Sequence, residues 1–472
     1  MQLDQIVDML EHGAGLYSHS GKVRPGGVFV AMPGSRVDGA RFIDEAVARG
    51  ARVVVHAQGA PARPVEGVCF VAVPNPARIL GVLARTALGT KGRMPRVVGV
   101  TGTNGKTTIA YLLEYLLARN GVRAGLMGTI GCSWNGHFEP ASMTTPDCLS
   151  LHGTIRRMVD DQVECVVMEV SSHALDQDRI AGVPVDVGVF SNLTQDHLDY
   201  HRTMDAYFAA KARLFWDLER RCAKGAVNVD DPRGRELLAG RDDLLGYGLD
   251  VPAELHGTVL DSGPRGMRLA MRYAGQSWEL RTGLVGRHNA SNLLACQGAG
   301  LLLGLTPEQM LVLADAPGAP GRLERVPNSR QLDIFIDYAH TPDALEKVAA
   351  ALKAMGFARL ITVFGCGGDR DATKRPLMGQ AVARHADIAI LTSDNPRTED
   401  PESILDQVAP GLTEAPQVLR EVDRRKAIGL AIERMHPGDA LLIAGKGHED
   451  YQIIGTTKTH FSDFEVVREY LA

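Results

Sequence analysis

The residue types best suited to chemistry gather first at Thr101-Gly102-Thr103-Asn104-Gly105-Lys106-Thr107-Thr108, directly after the apolar run Arg96–Val100. Gly102 and Gly105 remove the side chains that would keep a backbone from wrapping a phosphate. A helix opening at Lys106–Thr108 adds unpaired N–H groups and a partial positive charge. In such a cradle Lys106 reaches the terminal phosphates and the Thr107 hydroxyl holds a magnesium ion. A generic phosphate loop has glycine five positions before Gly105, where this chain has Val100; that weighs against a GTPase. The alternative is a glycine turn closing around another ligand, which leaves Lys-Thr directly after the last glycine unexplained.

Other polar groups also follow apolar runs. After Cys165–Met168 comes Glu169-Val170-Ser171-Ser172-His173, a carboxylate placed to bind magnesium beside serines suited to capping a helix. After Val185–Phe190 comes the dense polar run Ser191–His201, either a site loop or a solvated connection. On pattern alone Lys211, in Ala209–Phe215, reads as a surface lysine. On pattern alone, too, Arg397 reads as a solvated loop residue paired with Glu399 or Asp400.

Positioning these residues requires an α/β chain of three domains. Residues 1–92 form a small N-terminal α/β domain, with strands at Val28–Ala31 and Val53–Val55, helices at Phe42–Arg49 and Pro76–Leu88, and a linker at Gly89–Gly92. Residues 93–318 form a central, P-loop ATPase-like domain with a mostly parallel sheet. Its strands Cys165–Met168, Val185–Phe190 and Ala226–Val229 alternate with helices such as Ile109–Arg119 and Met204–Arg220. Period-two stretches at Met267–Tyr273 and Ser277–Arg281 predict a small antiparallel sheet. The run Ala314–Gly321 is a Pro/Gly linker, and residues 319–472 form a C-terminal Rossmann-like domain. Its strands Leu332–Ile336, Leu360–Phe364, Ile388–Leu391 and Ala440–Ile443 each end in a polar loop, where doubly wound sheets bind ligands.

Composition narrows the class. Apolar residues make up 45% and charged residues 23% of the chain, as in a folded soluble protein rather than a disordered one. A net charge of −5 excludes a general nucleic-acid binder. The seven cysteines are scattered without a C-x-x-C pair, as reduced thiols in a cytosol are. The N-terminus carries acid and no apolar run, and no stretch approaches the roughly 20 apolar residues of a membrane span. A cytoplasmic protein without membrane insertion is expected.

Thr101–Thr108, Met168–His173, Asn192–His197 and Lys211 together resemble the Mur ligases of bacterial cell-wall synthesis. So do Gly286-Arg287-His288-Asn289, Asp337-Tyr338-Ala339-His340-Thr341-Pro342 and Gly445-Lys446-Gly447-His448-Glu449. The resemblance runs in order through nearly the whole chain. Thr144-Thr145-Pro146, Gly365–Arg370 and above all Asp394-Asn395-Pro396-Arg397 resemble the branch that adds the third peptide residue, in its meso-diaminopimelate form. Lysine-adding relatives lack Asp394–Arg397, folylpolyglutamate-type synthetases lack the full N-terminal unit, and a regulator without catalysis would not need Lys106, Glu169, His197 and Lys211 together.

The resemblance implies that ATP phosphorylates the free carboxylate of UDP-N-acetylmuramoyl-L-alanyl-D-glutamate and that an amine of meso-diaminopimelate displaces the phosphate. It places ATP on Thr101–Thr108, Asn289, Asn292, Arg322 and Asp337, with His340 supporting that loop. It assigns magnesium to Thr107, Glu169 and His197, with Lys211, as a carbamate, holding a second ion. It places the sugar-nucleotide on Ser20, Thr144, Thr145, Ser171, Gln177 and Arg179. The usual Asp-Ser-Arg is His19-Ser20-Gly21 here, so a charge pair is missing there. Diaminopimelate is expected on Arg370, Asp394, Asn395, Pro396, Arg397, Gly445 and Glu449: a guanidinium fork reads the second carboxylate that lysine lacks. A monomer that closes about Ala314–Gly321 is expected.

Overall fold

The computed structural model describes residues 2–34, 37–59, 65–217 and 222–471. Its main sheets succeed one another along the chain. The first has four parallel strands in sequence order, Leu16–Tyr17, Val28–Val30, Val53–Ala57 and Cys69–Val73. Short apolar runs such as Val53-Val54-Val55 suit a sheet covered on both faces, and all three of those valines are fully buried.

The central sheet has eleven strands. Arg96–Thr101 lies in its middle between Val187–Phe190 and Cys165–Glu169, parallel to both, with Thr101 beside Phe190 and Val100 beside Glu169. The carboxyl ends of three adjacent strands therefore deliver the cradle, Glu169 and the Ser191–His201 run side by side. The strands Leu255–Gly263, Gly266–Tyr273 and Gln276–Thr282 are antiparallel as expected. They form no separate sheet, because Leu255–Gly263 pairs with Leu244–Gly248 and extends the central one. At the opposite edge Gly131–Trp134 and His137–Pro140 make a further hairpin. The helix expected over Met204–Arg220 spans Met204–Trp216, and Arg220 lies outside the described residues.

The third sheet orders Glu324–Arg325, Asp333–Asp337, Ala440–Ala444, Leu360–Phe364, Ile388–Leu391 and Val418–Arg420; all are parallel except the first pair. Neighbouring strands again end in the loops of interest: Gly365–Arg370, Thr392–Arg397 and Gly445–Glu449. Among the described residues, no helix is long and apolar enough to cross a membrane.

Candidate active site

Both cradle glycines are required by geometry. Gly102 and Gly105 take φ of +143° and +87°, and a Cβ would collide with the Ser191 hydroxyl at Gly102 and with the Asn292 carboxamide at Gly105. Lys106 heads the helix Lys106–Arg119 and folds back over the loop, its Nζ donating to the carbonyls of Gly102 (3.0 Å) and Thr103 (2.8 Å). Asn104 is held from below by Asn192, whose Oδ1 accepts the Asn104 N–H at 3.0 Å. Asn292 donates to Asn289 Oδ1 at 3.1 Å, so these two buried amides brace the wall against Gly105.

Thr107 Oγ1 donates to Glu169 Oε2 at 3.0 Å. Glu169 is buried and also accepts from the N–H (2.8 Å) and hydroxyl (3.1 Å) of Thr129. Thr129 was missed in the sequence because its strand, Ala124–Met127, was not read; a polar residue beyond a strand's carboxyl end was the available signal. Thr107, Glu169 and Thr129 offer hard oxygen donors of the kind magnesium takes. The Thr101 hydroxyl at the same loop is buried and without a partner among the described residues. These residues fit the ion with substrate oxygens and water completing the shell, since the described residues hold no group of three or more His, Cys, Asp or Glu able to take a metal.

Lys211 is no surface lysine: it is 1% exposed, and its Nζ donates to Gly102 O at 2.8 Å, over the Tyr207 ring. Burial, then the neighbouring Lys106 ammonium, pushes its pKa well below the usual lysine value. A neutral amine is the form that adds carbon dioxide. His197, in a left-handed conformation at φ +54°, packs edge-on to His173, and burial lowers its pKa to about 4. No hydrogen bond joins His197 to Glu169 among the described residues.

The expected sugar-nucleotide residues form a network continuous with Glu169, except Ser20. Thr145 Oγ1 donates to the Glu169 carbonyl (2.9 Å) and accepts from Ser171 N (3.0 Å). Thr144 meets Thr129 hydroxyl to hydroxyl at 3.1 Å. Arg179 donates to Thr145 O (3.1 Å) and to Gln177 Oε1 (2.7 Å). Ser171 also caps the helix Ser172–Asp176 through Ala174 N, so site and cap share one residue. Ser20 lies in the first sheet's layer, where its hydroxyl donates to Glu45 at 2.7 Å.

The third unit reaches into the cradle. Arg322 Nη2 donates to Thr107 Oγ1 at 3.2 Å and stacks on Tyr338, while its Nε is buried without a partner among the described residues. Asp337 accepts from the N–H groups of Leu323 (2.6 Å) and Ala339 (2.7 Å), and burial raises its pKa. His340 Nδ1 meets Tyr338 O at 2.8 Å. Asp343, which nothing in the sequence distinguished from an ordinary first-turn acid, accepts from Asn104 (2.8 Å) and Thr194 (3.0 Å).

At the other end of that unit, Arg397 makes no ion pair with Glu399 or Asp400. Arg375 occupies Glu399, and Asp400 caps the helix Pro401–Val408. Arg397 Nη1 instead donates to Gly368 O at 2.8 Å, and the exposed Arg370 flanks the same glycine loop, a Cβ on Gly367 reaching both arginines. Asn395 Nδ2 donates to Glu449 Oε2 at 3.0 Å. Asp394 lies 3.3 Å from the Lys446 ammonium and 3.5 Å from where a Cβ on Gly445 would stand. Burial and the Asp394 charge raise the Glu449 pKa. Pro396 is buried and stiffens the loop.

A glycine loop opening a helix, a buried carboxylate bonded to it and a third unit that meets the loop through Arg322 and Asp343 are the parts of a nucleotide-dependent group-transfer enzyme. Three family models cover the chain: the Mur ligase family catalytic domain at residues 14–87, the Mur ligase middle domain at 100–300 and the Mur ligase glutamate ligase domain at 321–447. Relatives named UDP-N-acetylmuramoyl-L-alanyl-D-glutamate–2,6-diaminopimelate ligase include one from Lawsonia intracellularis, 52% identical over 96% of this chain and 95% of its own. Another, from Synechococcus elongatus, is 45% identical over 97% and 94%. A solved structure of a ligase of that name matches with a TM-score of 0.71 at 34% identity, over 97% of this chain and 94% of its own. A MurF ligase from Thermotoga maritima, solved with ADP, shares the fold at a TM-score of 0.64 and 21% identity, over 98% of each chain. The chain belongs to the Mur ligase family.

Proposed function

We infer that this chain is an ATP-dependent ligase that joins meso-2,6-diaminopimelate to UDP-N-acetylmuramoyl-L-alanyl-D-glutamate in peptidoglycan precursor synthesis. The observation that carries the choice of amine is Arg397, on the loop that also carries Asp394: its guanidinium makes no ion pair among the described residues and donates to Gly368 O, while Asn395 of its own loop bonds Glu449. A guanidinium reads the distal carboxylate that separates diaminopimelate from lysine, and the two acids suit its ammonium groups.

In this reading the γ-phosphoryl of ATP passes to the glutamyl carboxylate. The amine then attacks the acyl phosphate, giving an amide, ADP and phosphate. Lys106 and the cradle N–H groups hold the phosphates, Arg322 brings a second positive charge, and the Thr145–Arg179 network seats the muramoyl peptide. Ser20 serves the uridine end. Thr107 and Glu169 would hold magnesium, with His197 near it and Lys211, once carbamylated, for a second ion; bound there, the metal would supply charge neutralisation for phosphoryl transfer. We place the domain boundaries at 92/93 and 318/319, with a cytoplasmic, monomeric enzyme.

Phosphate release from ATP with the UDP-substrate, comparing diaminopimelate with lysine, tests this. Release with diaminopimelate alone is expected. Release with lysine alone would overturn the specificity, and none with any amino acid would leave a nucleotide-binding regulator.

A further inference from the structure

Arg375 is one of the largest fully buried side chains, 1% exposed, at the start of the helix Lys374–Ala383. Its guanidinium forks onto Glu399, Nη1 to Oε2 and Nη2 to Oε1, each at 2.8 Å. Nη1 also donates to Gln407 Oε1 (2.8 Å) and Nη2 to Gly367 O (3.3 Å). Glu399 Oε1 in turn accepts the Asp369 N–H at 2.5 Å. One cation thus ties together the loop after Leu360–Phe364, the loop after Ile388–Leu391 and the helix Pro401–Val408.

Those two loops interleave. Gly368 N donates to Asn395 O at 2.9 Å, and a Cβ on Gly368 would collide with the Pro396 carbonyl. Thr398 Oγ1 donates to Asp369 Oδ1 at 2.7 Å. Between these ties sits Arg397, whose backbone is left-handed at φ +52°. That conformation is unfavourable for a non-glycine residue and persists only where its surroundings impose it. The Arg397 guanidinium is aimed by Gly368 O, next to the Gly367 carbonyl that Arg375 holds. Arg375 itself is sealed from solvent.

We propose that the Arg375–Glu399 pair is the positioning element that sets acceptor selectivity, by holding the Gly365–Asp369 and Asp394–Glu399 loops so that Arg397 faces the distal carboxylate of the incoming amino acid. The proposal rests on the reading of the acceptor as diaminopimelate. A buried ion pair is a weak source of stability, since its desolvation offsets its attraction. Its place between the two loops that carry Arg370 and Asp394–Arg397, rather than within the sheet, is what a positioning role requires. The Glu399 carboxyl is held down at about 2 by its hydrogen bonds from Arg375, so the pair stays charged wherever the enzyme works.

The test compares R375K, which keeps the charge and loses the fork, with E399Q, which keeps the shape and loses the charge. Glu399 is 32% exposed and a glutamine there keeps an oxygen to accept from Arg375, so E399Q is the milder of the two changes, and the melting profile of each variant is recorded beside its kinetics. Steady-state phosphate release is measured against diaminopimelate, lysine, ATP and the UDP-substrate. The expected result is a KM for diaminopimelate raised roughly tenfold or more, with the diaminopimelate-over-lysine ratio falling by the same factor. KM for ATP and for the UDP-substrate stay within about twofold of wild type in that case. Unchanged diaminopimelate KM and ratio in a variant that melts like wild type would overturn the proposal. So would a parallel rise in all three KM values, the mark of a merely structural pair. If wild type itself shows no diaminopimelate-dependent release, the functional reading falls and the proposal with it; if wild type depends on diaminopimelate and the variants do not shift, only the proposal falls.

Discussion

Two histidines set an acid limit on the folded state. Burial holds His288 and His448 at about 4, whereas an unfolded imidazole titrates near 6.5. Between those values the unfolded chain binds protons that the folded chain does not, so unfolding takes up protons. Stability is therefore full above about pH 6.5 and is lost progressively as pH falls toward about 4. Melting temperatures at about pH 5 are expected to lie below those at about pH 7.5, and a rise toward acid would contradict the assignment. In the sequence both stand inside motifs that carry the family resemblance, Gly286–Asn289 and Gly445–Glu449, but nothing there marks their burial. Much of the site was legible all the same: Lys106, Thr107 and Glu169 follow strands that pattern alone located. Lys211 and Arg397 were misread on pattern, because burial and the choice of partner depend on residues far away in sequence. Lys211 is buried by the cradle it faces, and Arg397 lacks an ion pair because Arg375 has taken Glu399.

At the scale of elements, the C-terminal helix Asp463–Leu471 is tied to the third sheet through a fully buried ion pair. Arg424 and Asp463 are both 0% exposed, with Nε to Oδ1 at 2.8 Å and Nη2 to Oδ2 at 2.7 Å. Nη2 also donates to Ala444 O (3.0 Å), the last strand residue before Gly445. Asp463→Ala leaves that guanidinium uncompensated and is expected to cost about 3–5 kcal/mol, read by chemical denaturation. A loss below about 1 kcal/mol would mean that water reaches Arg424. Parallel strands were easy to read in sequence because sheets covered on both faces need continuous apolar runs. The edges were harder. Gly131–Trp134 and His137–Pro140 are four residues each, and only the turn at Asn135-Gly136 marks them. Leu255–Gly263 joins the central sheet through two registered residues at its start, which no local pattern records.

For the whole molecule, the second and third units meet at two points on the cradle, Arg322 on Thr107 and Asp343 on Asn104. At the end of the linker, Gly321 at φ +65° packs against the backbone of Gly447, where a side chain would collide. Nucleotide and UDP-substrate together are expected to tighten this arrangement about Ala314–Gly321, shrinking the radius of gyration in solution scattering. Gly321→Ala is expected to weaken that response, and scattering curves indifferent to both ligands would refute the hinge.

The eleven-stranded sheet carries a consequence for solubility. Adjacent strands of such a sheet rotate by roughly 20° on average, so a wide sheet twists its edges away from one common plane. Neither edge offers a clean template for another chain. His137–Pro140 is short, ends in a proline and bears Glu139 paired with Arg157, and Gln276–Thr282 is packed against the turn Leu311–Asp315. A sheet this wide would otherwise invite edge-to-edge stacking into fibrils. Replacing Pro140 and Glu139 together with valine is expected to bring on concentration-dependent light scattering that the parent chain does not show, without a change in its melting profile.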